Sequence, residues 1–243
     1  MTSPNDVTVP GAGGPGEPPA WLTVIDMQRV FAEPDSAWLT PRFAEIVQPI
    51  QRLVAAFRPR VIFTRFLAPE VPEGAWREYY AQWPFALQPP DARIYELVDE
   101  FAGEPGPTLD ATTFGKWGPE LSARIGGGPL VLTGVSTDCC VLTTALGAAD
   151  PGTAVRVVAD ACAGVDDDTH AATLRILQLQ SPLIEVVTLA GALSAAAAAT
   201  PPSAPPLRDL GPAASPKPTC HGFRVRKPGN PAGDTRGAHD KSS

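Results

Sequence analysis

The stretch "PLVLTGVSTDCCVLTTALGAAD" (residues 129–150) joins a short apolar run to a helix-length segment through a glycine and two adjacent cysteines. The run at its start is apolar nearly throughout, which is typical of a strand covered on both faces in a parallel sheet. Thr137 or Asp138 can cap the helix that follows. The stretch therefore predicts a strand, a turn and a helix, with Cys139 and Cys140 in the first helical turn.

The same alternation continues along most of the chain. Strands are predicted at 21–27, 60–66, 129–135, 154–160 and 183–189. Helices are predicted at 40–57, 72–82, 117–125, 138–149 and 166–180. This order predicts one three-layer α/β/α domain around a mostly parallel, doubly wound sheet. Ligands of such sheets bind beyond the carboxyl ends of the strands, so we expect the chemistry to lie there.

Composition divides the chain into three zones. Residues 1–18 are rich in Gly and Pro and residues 200–243 form a Pro/Ala-rich basic tail, so both are predicted to be disordered around a domain at 19–199. Residues 1–200 carry 12 lysines and arginines against 23 acidic residues, whereas the tail carries 7 against 3. An acidic body repels phosphate, which argues against nucleic acid and anionic membranes as partners.

Targeting signals and metal motifs are both missing from the sequence. There is no apolar stretch near membrane-spanning length and no charged-then-apolar start, so we expect a cytoplasmic protein. The four cysteines do not suggest a disulfide framework, and "CC" lacks the spacing that lets two sulfurs converge on zinc. Two of the three histidines, His221 and His239, lie in the tail, and for His170 a surface or supporting role is expected. We therefore predict no metal and no cofactor.

Three residue types at the predicted strand ends can carry chemistry. Asp26 ends the first strand as a catalytic base or a solvated loop residue. Unpaired N–H groups and the helix dipole favour a cysteine thiolate near Cys140 and can hold an oxyanion, although buried cysteine is often only a small hydrophobe. Lys116 is the single lysine among eleven arginines of residues 1–200. Its presence reflects either drift in composition or a need for an ammonium group whose pKa the protein can adjust.

Three segments together resemble the isochorismatase-like cysteine hydrolases, a group that includes nicotinamidases and N-carbamoylsarcosine amidase. "VIDMQRVF" (24–31) is similar to the family's first strand motif, D-x-Q-x-x-F after an apolar run. "GVSTDCCVLTTALGAAD" (134–150) resembles its G-V-x-T-D-x-C-V nucleophile motif, and "VRVVADACAG" (155–164) resembles the next strand. The resemblance spans about residues 20 to 190 and implies the fold and a hydrolytic activity.

The resemblance assigns roles to particular residues. It makes Cys140 the nucleophile, because Cys140 is followed by Val141, and Asp26 the acid/base carboxylate. It also implies a cis peptide before Ser136, with the turn at Ser136 and Cys140 holding the oxyanion. Relatives are commonly dimers or tetramers, so a homo-oligomer is expected.

The lysine segment departs from the family pattern. The usual segment reads K-x-x-[YF]-S-x-F, and aligning Phe114 and Trp117 with its aromatics places Ala111 at the lysine position. Lys116 then stands five positions late. Either its ammonium reaches the site from the shifted position, or the protein lacks the lysine of the catalytic triad.

A second departure concerns the substrate. Nicotinamidases hold a metal with an Asp and histidines, whereas the corresponding stretch here (63–84) has no histidine, which predicts a protein that is neither a nicotinamidase nor metal-dependent. Its aromatic residues line a pocket, form an oligomer interface or pack in the core; they are Phe66, Trp76, Tyr79, Tyr80 and Trp83. Arg65 receives an anionic substrate group or makes a surface salt bridge.

Together these observations predict a metal-independent hydrolase that cleaves a C–N bond of a small amide or ureido substrate through a thioester. Substrate contacts are predicted for Phe31, Arg65, Trp117 and Thr137. One alternative is vinyl-ether hydrolysis of isochorismate, which needs Asp26 but no nucleophile. The other is an inactive family member that acts as a binding or scaffold protein.

Overall fold

The computed structural model describes residues 18–104 and 106–198. The predicted terminal segments, 1–18 and 200–243, lie outside the described residues except for Pro18. In the described part of the chain, no helix combines the length and apolarity that crossing a membrane requires.

A six-stranded sheet forms the centre of the domain. Its strands are β1 (Trp21–Ile25), β2 (Val61–Phe66), β3 (Thr108–Ala111), β4 (Leu130–Val135), β5 (Val155–Ala163) and β6 (Ile184–Val187). The order is β3-β2-β1-β4-β5-β6, and all neighbouring strands pair in parallel. The chain reverses its direction of winding between β1 and β4, which is where doubly wound sheets bind ligands. The predicted α/β fold is confirmed.

Seven helices of the described residues flank the sheet. They are α1 (Arg29–Ala32), α2 (Phe43–Phe57), α3 (Trp76–Gln82), α4 (Pro119–Ile125), α5 (Leu142–Ala149), α6 (Asp167–Gln178) and α7 (Leu189–Ala198). Helices α1, α2 and α7 share one hydrophobic core with one face of the sheet, and α4, α5 and α6 share a second core with the other face. Alternate strand residues supply the two cores: Val131 and Val135 of β4 face one, and Leu130 and Leu132 the other.

Several elements differ from the prediction. The edge strand β3 was not expected, because in its four residues only Leu109 is buried and the sequence shows no apolar run. Helices α1 and α7 were also missed. The predicted helix at 138–149 is interrupted: Thr137–Val141 form a π-helical turn and the α-helix begins at Leu142.

A close contact between β1 and β4 sets the spacing at the switch point. Ile25 and Gly134 are paired across the two strands. Gly134 has φ +111°, and a Cβ built there would lie 2.1 Å from the Ile25 carbonyl oxygen. Glycine is therefore required at this position. It brings the residues that follow β1 next to the turn that follows β4.

Candidate active site

Asp26 follows β1 directly and is fully buried. Its backbone lies in the left-handed region, with φ +49°, which Asp tolerates better than most residues. Thr64 of β2 fixes the carboxylate: its hydroxyl donates to Asp26 Oδ1 at 2.6 Å and accepts from the Asp26 N–H at 3.2 Å. One carboxylate oxygen is thus held by a neutral donor, and Oδ2 is left for other groups.

Gln28 holds the backbone around Asp26 in place. Its side-chain amide donates to the carbonyls of Phe66 and Tyr95 at 3.1 and 2.9 Å, and its Oε1 accepts from the Phe66 N–H at 2.7 Å. The side chain is fully buried, so these bonds replace its hydration. Gln28 of the D-x-Q motif therefore links the β1 turn to the end of β2.

Lys116 reaches Asp26 in spite of its shifted position in the chain. Its Nζ lies 2.9 Å from Asp26 Oδ2, and neither side chain is exposed. The contact is an ion pair without the angles of a regular hydrogen bond, since Oδ2 has no such bond. Nζ also donates to the Thr113 carbonyl at 3.1 Å and lies 5.0 Å from the centre of the Phe66 ring. Ala111, where the family pattern places the lysine, ends β3 beside Phe66.

The loop that carries Lys116 is held against α5. The Lys116 N–H donates to Thr144 Oγ1 at 2.9 Å, and that hydroxyl donates to the Cys140 carbonyl at 2.6 Å. The backbone of Gly115 also lies close to α5: a Cβ added at Gly115 would be 3.0 Å from the methyl group of Thr143. The helix that follows the cysteines therefore positions the lysine as well.

Cys140 lies in the π-helical turn after β4 and is 3% exposed. The peptide bond before Ser136 is cis, as the family resemblance implies. The Ser136 carbonyl accepts the N–H groups of Cys139 and Val141, each at 3.1 Å. These bonds fix the backbone on both sides of Cys140.

The segment from β5 to α6 braces the same turn. Asp138 Oδ1 accepts the Val165 N–H at 2.9 Å, and Thr137 Oγ1 is 2.8 Å from His170 Nδ1. Burial lowers the pKa of His170 below its ordinary value, so the neutral imidazole is favoured in this contact. His170 thus has a supporting position in the structure.

The two cysteines have opposite pKa shifts. The pKa of Cys140 is raised well above its ordinary value, because of its hydrogen bond with Cys139 and because burial penalises the thiolate. The pKa of Cys139 is lowered, mainly by the same hydrogen bond. In the resting site burial and the neighbouring sulfur thus oppose a thiolate at Cys140, whereas the Lys116 charge favours one. The thiolate at Cys140 that the helix start predicts stays a prediction.

A cavity of about 350 Å³ opens beside Cys140 at the carboxyl ends of the strands. Its wall consists of Phe31, Ala37, Trp38, Leu39, Thr40, Phe66, Tyr79, Trp83, Phe114, Ser136, Asp138, Cys139, Cys140 and Val165. Asp26 and Lys116 are buried and do not form part of this wall. Cys140 therefore lines the cavity, whereas the ion pair of Asp26 and Lys116 lies beneath the wall.

The structure separates the predicted substrate contacts. Phe31 lines the cavity, whereas Thr137, Trp117 and Arg65 do not. Thr137 is fully buried, and Trp117 packs near Gly147 of α5. Arg65 makes a two-pronged salt bridge to Asp110, with distances of 2.8 and 2.6 Å, so the salt-bridge alternative describes it.

Sequence reasoning missed part of the cavity wall. Trp38 lies in a loop between α1 and α2, within 6.2 Å of four other cavity-wall rings by centroid distance. In the sequence, Trp38 is a single aromatic residue in a polar segment. No periodic pattern marks it as a residue of the cavity. Among the residues considered earlier, Phe66, Tyr79 and Trp83 line the cavity. Trp76 packs on Phe66 and Tyr80 is 1% exposed in the core.

Within residues 18–104 and 106–198, no group of three or more His, Cys, Asp or Glu side chains is arranged to hold a metal ion. The prediction of a metal-independent site stays a prediction. The site therefore combines a thiol in the cavity wall with a carboxylate and an ammonium buried beneath it. Such a set can support proton transfer and nucleophilic attack.

Comparison with known proteins agrees with this geometry. The model of the isochorismatase domain matches residues 20–190, whereas no curated protein matches the sequence significantly. Among similar structures, a cysteine hydrolase from Pseudomonas syringae pv. phaseolicola 1448A is 24% identical with TM-score 0.68, covering 79% of this chain and 100% of that one.

Two further structures show the same fold at lower identity. N-carbamoylsarcosine amidase from Thermoplasma acidophilum is 20% identical with TM-score 0.57, covering 70% of this chain and 96% of its own. Nicotinamidase from Bacillus subtilis is 19% identical with TM-score 0.55, covering 69% and 98%. Identities at this level establish the fold, and the domain model spans more than half of the sequence. The chain therefore belongs to the isochorismatase domain family and has the hydrolase fold that its sequence resembles.

Proposed function

We propose that the protein is a metal-independent cysteine hydrolase that cleaves a C–N bond of a small amide or ureido substrate. The observation that carries the proposal is the buried pair of Asp26 and Lys116, 2.9 Å apart, behind a cysteine that faces a cavity. A buried ion pair is costly to maintain and has no evident packing purpose at a strand end. A role in proton transfer to and from Cys140 accounts for its position.

In the proposed first step, Asp26 takes the proton of the Cys140 thiol as the sulfur attacks the substrate carbonyl carbon. The raised pKa of Cys140 makes such a base necessary, because little thiolate forms unaided near neutral pH. The S–C bond forms and the carbonyl π electrons move to oxygen. Lys116 stabilises the developing negative charge on sulfur while keeping Asp26 in place.

The oxyanion is assigned to the turn at Ser136 and Cys140. The N–H groups of Cys139 and Val141 are engaged with the Ser136 carbonyl, so they do not serve this purpose. The Cys140 N–H, with that of Ser136, is the proposed donor. Rigid donors of this kind stabilise a tetrahedral intermediate without reorganising.

The remaining steps regenerate the enzyme. The C–N bond breaks as protonated Asp26 gives its proton to the leaving nitrogen, and a thioester remains on Cys140. Asp26 then takes a proton from water, whose oxygen attacks the thioester carbonyl. The acid product leaves, and the proton returns to the Cys140 sulfur.

The two alternatives receive less support. Vinyl-ether hydrolysis of isochorismate gives no role to the thiol, and isochorismate is a dicarboxylate for which the described cavity wall offers no Arg, Lys or His. A scaffold protein gives no role to the buried ion pair. The predicted homo-oligomer and cytoplasmic location stay predictions, and light scattering on the purified protein tests the first.

The proposal is tested by ammonia release from a panel of small amides and ureas, with mass spectrometry of the quenched enzyme. The wild type should release ammonia and carry an acyl group on Cys140, and Cys140→Ala should do neither. Cys162→Ala is the matched control, since Cys162 is buried in β5 and outside the cavity wall. Turnover that survives in Cys140→Ala would contradict the thioester mechanism.

A further inference from the structure

Charge is distributed unevenly around the cavity. None of its described wall residues is an arginine, lysine or histidine, and Asp138 is the carboxylate among them. Burial, followed by the nearby sulfurs, raises the pKa of Tyr79, so its phenol stays neutral. The buried Asp26 is paired with Lys116 and lies outside the wall. A bound ligand therefore meets one carboxylate and otherwise uncharged side chains among the described wall residues.

Cations near this end of the sheet are already paired. Lys116 pairs with Asp26 and Arg65 with Asp110. The guanidinium of Arg42, two residues beyond the wall residue Thr40, makes bonds of 2.5 and 2.6 Å to Asp167 and one of 3.0 Å to Glu45. A ligand carboxylate would have to break one of these pairs to gain a counter-charge.

The wall combines polar groups with a set of aromatic rings. Polar groups cluster around Cys140, where Thr40 Oγ1 and Ser136 Oγ lie 3.4 Å apart. The rest of the wall is mainly aromatic and centres on Trp38, which stacks on Phe31 with an interplanar angle of 12°. A substrate that fills the cavity thus meets the polar groups near Cys140 and several aromatic rings.

We propose that the substrate is an amide whose non-reacting part is apolar, ring-sized and free of negative charge. The inference rests on the proposed function, because it concerns the same cavity. Burying a carboxylate without a counter-ion is costly, and the Asp138 carboxylate in the wall adds repulsion. The aromatic wall favours a flat apolar group through burial and ring–ring contact. Anionic substrates, isochorismate included, are excluded by the same charges.

Three amides that differ in one feature each test this inference. They are benzamide, its anionic analogue 4-carbamoylbenzoate, and acetamide, which lacks the ring. We expect kcat/KM for benzamide to exceed that for either of the others by at least about a hundredfold. Binding is measured separately on Cys140→Ala by quenching of tryptophan fluorescence, since Trp38 and Trp83 line the cavity. The order of affinities should be the same.

A charge introduced at the cavity rim provides the sharper test. Val165 lines the cavity and is 54% exposed, so Val165→Arg supplies a cation without being buried. This variant should raise kcat/KM for 4-carbamoylbenzoate relative to benzamide at least about tenfold, and the ratio of the two affinities in the Cys140→Ala background should change in the same direction. Leu179→Arg, at an 82% exposed position beyond the end of α6, adds the same charge elsewhere and should change neither.

The outcomes separate the two proposals. Equal affinity of Cys140→Ala for benzamide and 4-carbamoylbenzoate would overturn the exclusion of anions, and equal affinity for benzamide and acetamide would overturn the apolar part. Absence of benzamide binding at millimolar concentration would overturn both. If the order of affinities holds but no amide is hydrolysed, the cysteine hydrolase proposal fails while the ligand class stands.

Discussion

Lys116 Nζ lies 2.9 Å from Asp26 Oδ2, although the lysine stands five residues beyond Ala111, where the family pattern places it. The loop after β3 makes this possible by folding back over α5 and presenting the lysine to the carboxylate. The ammonium therefore reaches Asp26 by a different chain path. This relationship bears on both stability and catalysis.

Replacing Lys116 by Met should destabilise the fold and abolish most activity. It leaves the Asp26 charge buried without its partner, which costs about 3–5 kcal/mol, measured by urea unfolding. Activity should fall at least about a hundredfold. Arg65→Met removes one partner of the half-exposed pair with Asp110 and should cost no more than about 1 kcal/mol.

A double variant distinguishes loss of the pair from loss of packing. Asp26→Asn combined with Lys116→Met removes both charges, so it should recover much of the stability lost by Lys116→Met while remaining inactive. Stability no better than that of the single variant would show that the side-chain contacts, and not the unpaired charge, determine the cost.

Thr144 should act as a positioning residue between the lysine loop and the cysteine turn. Thr144→Val keeps the shape of the buried side chain but removes its bonds to the Lys116 N–H and the Cys140 carbonyl. We expect kcat to fall about tenfold with KM nearly unchanged, because the geometry of attack is disturbed and the cavity is not. Thr144→Ser should restore kcat.

The neighbouring threonine offers a matched control. Thr143 donates to the Cys139 carbonyl at 2.7 Å in the same i to i−4 arrangement, but it is exposed and makes no hydrogen bond to the lysine loop. Valine keeps the methyl group that lies near Gly115 of that loop. Thr143→Val should therefore change kcat less than about twofold. A similar loss in both variants would contradict the positioning role of Thr144.

Alkylation by iodoacetamide should separate the two adjacent thiols by pH. Since the pKa of Cys139 is lowered and that of Cys140 is raised, Cys139 should be labelled first near neutral pH and Cys140 only as the pH rises well above about 8.5. Peptide mass spectrometry over a pH series measures both rates. Fast labelling of Cys140 at pH 7 in the free enzyme would show that a thiolate already exists and that Asp26 is not needed to form it.

Gly134→Ala should prevent the sheet from closing at the switch point. The new methyl group would lie 2.1 Å from the Ile25 carbonyl oxygen, and the positive φ is unfavourable for alanine. We expect a loss of more than about 3 kcal/mol in the free energy of unfolding, or no folded protein. Gly103→Ala, where a Cβ meets nothing within 4 Å, should change stability by less than about 0.5 kcal/mol.

Much of the fold was predictable because buried parallel strands leave a strong signal. The apolar runs ending at Asp26 and Val135 gave β1 and β4, and these two strands position the carboxylate and the cysteine turn. Strand β3 gave no such signal, since an edge strand of four residues buries few side chains. Its end nevertheless determines where the lysine loop begins.

The cavity could not be predicted in the same way. Phe31 was found through a motif, but Trp38 lines the cavity from a loop whose path depends on tertiary contacts. The position of Arg65 at a strand end suggested that it binds an anionic substrate group. The structure shows that its guanidinium already forms a salt bridge with Asp110 of β3. The pKa shift of Cys140 depends on its burial and on its hydrogen bond with Cys139. The adjacency of the two cysteines in the sequence reveals neither.

Because a loop braced on α5 holds the ammonium of Lys116, its place in space is separable from its place in the sequence. A lysine that is missing from the expected place in the sequence pattern can thus still be present at the carboxylate. The atoms around Asp26 identify this lysine more directly than aligned letters do.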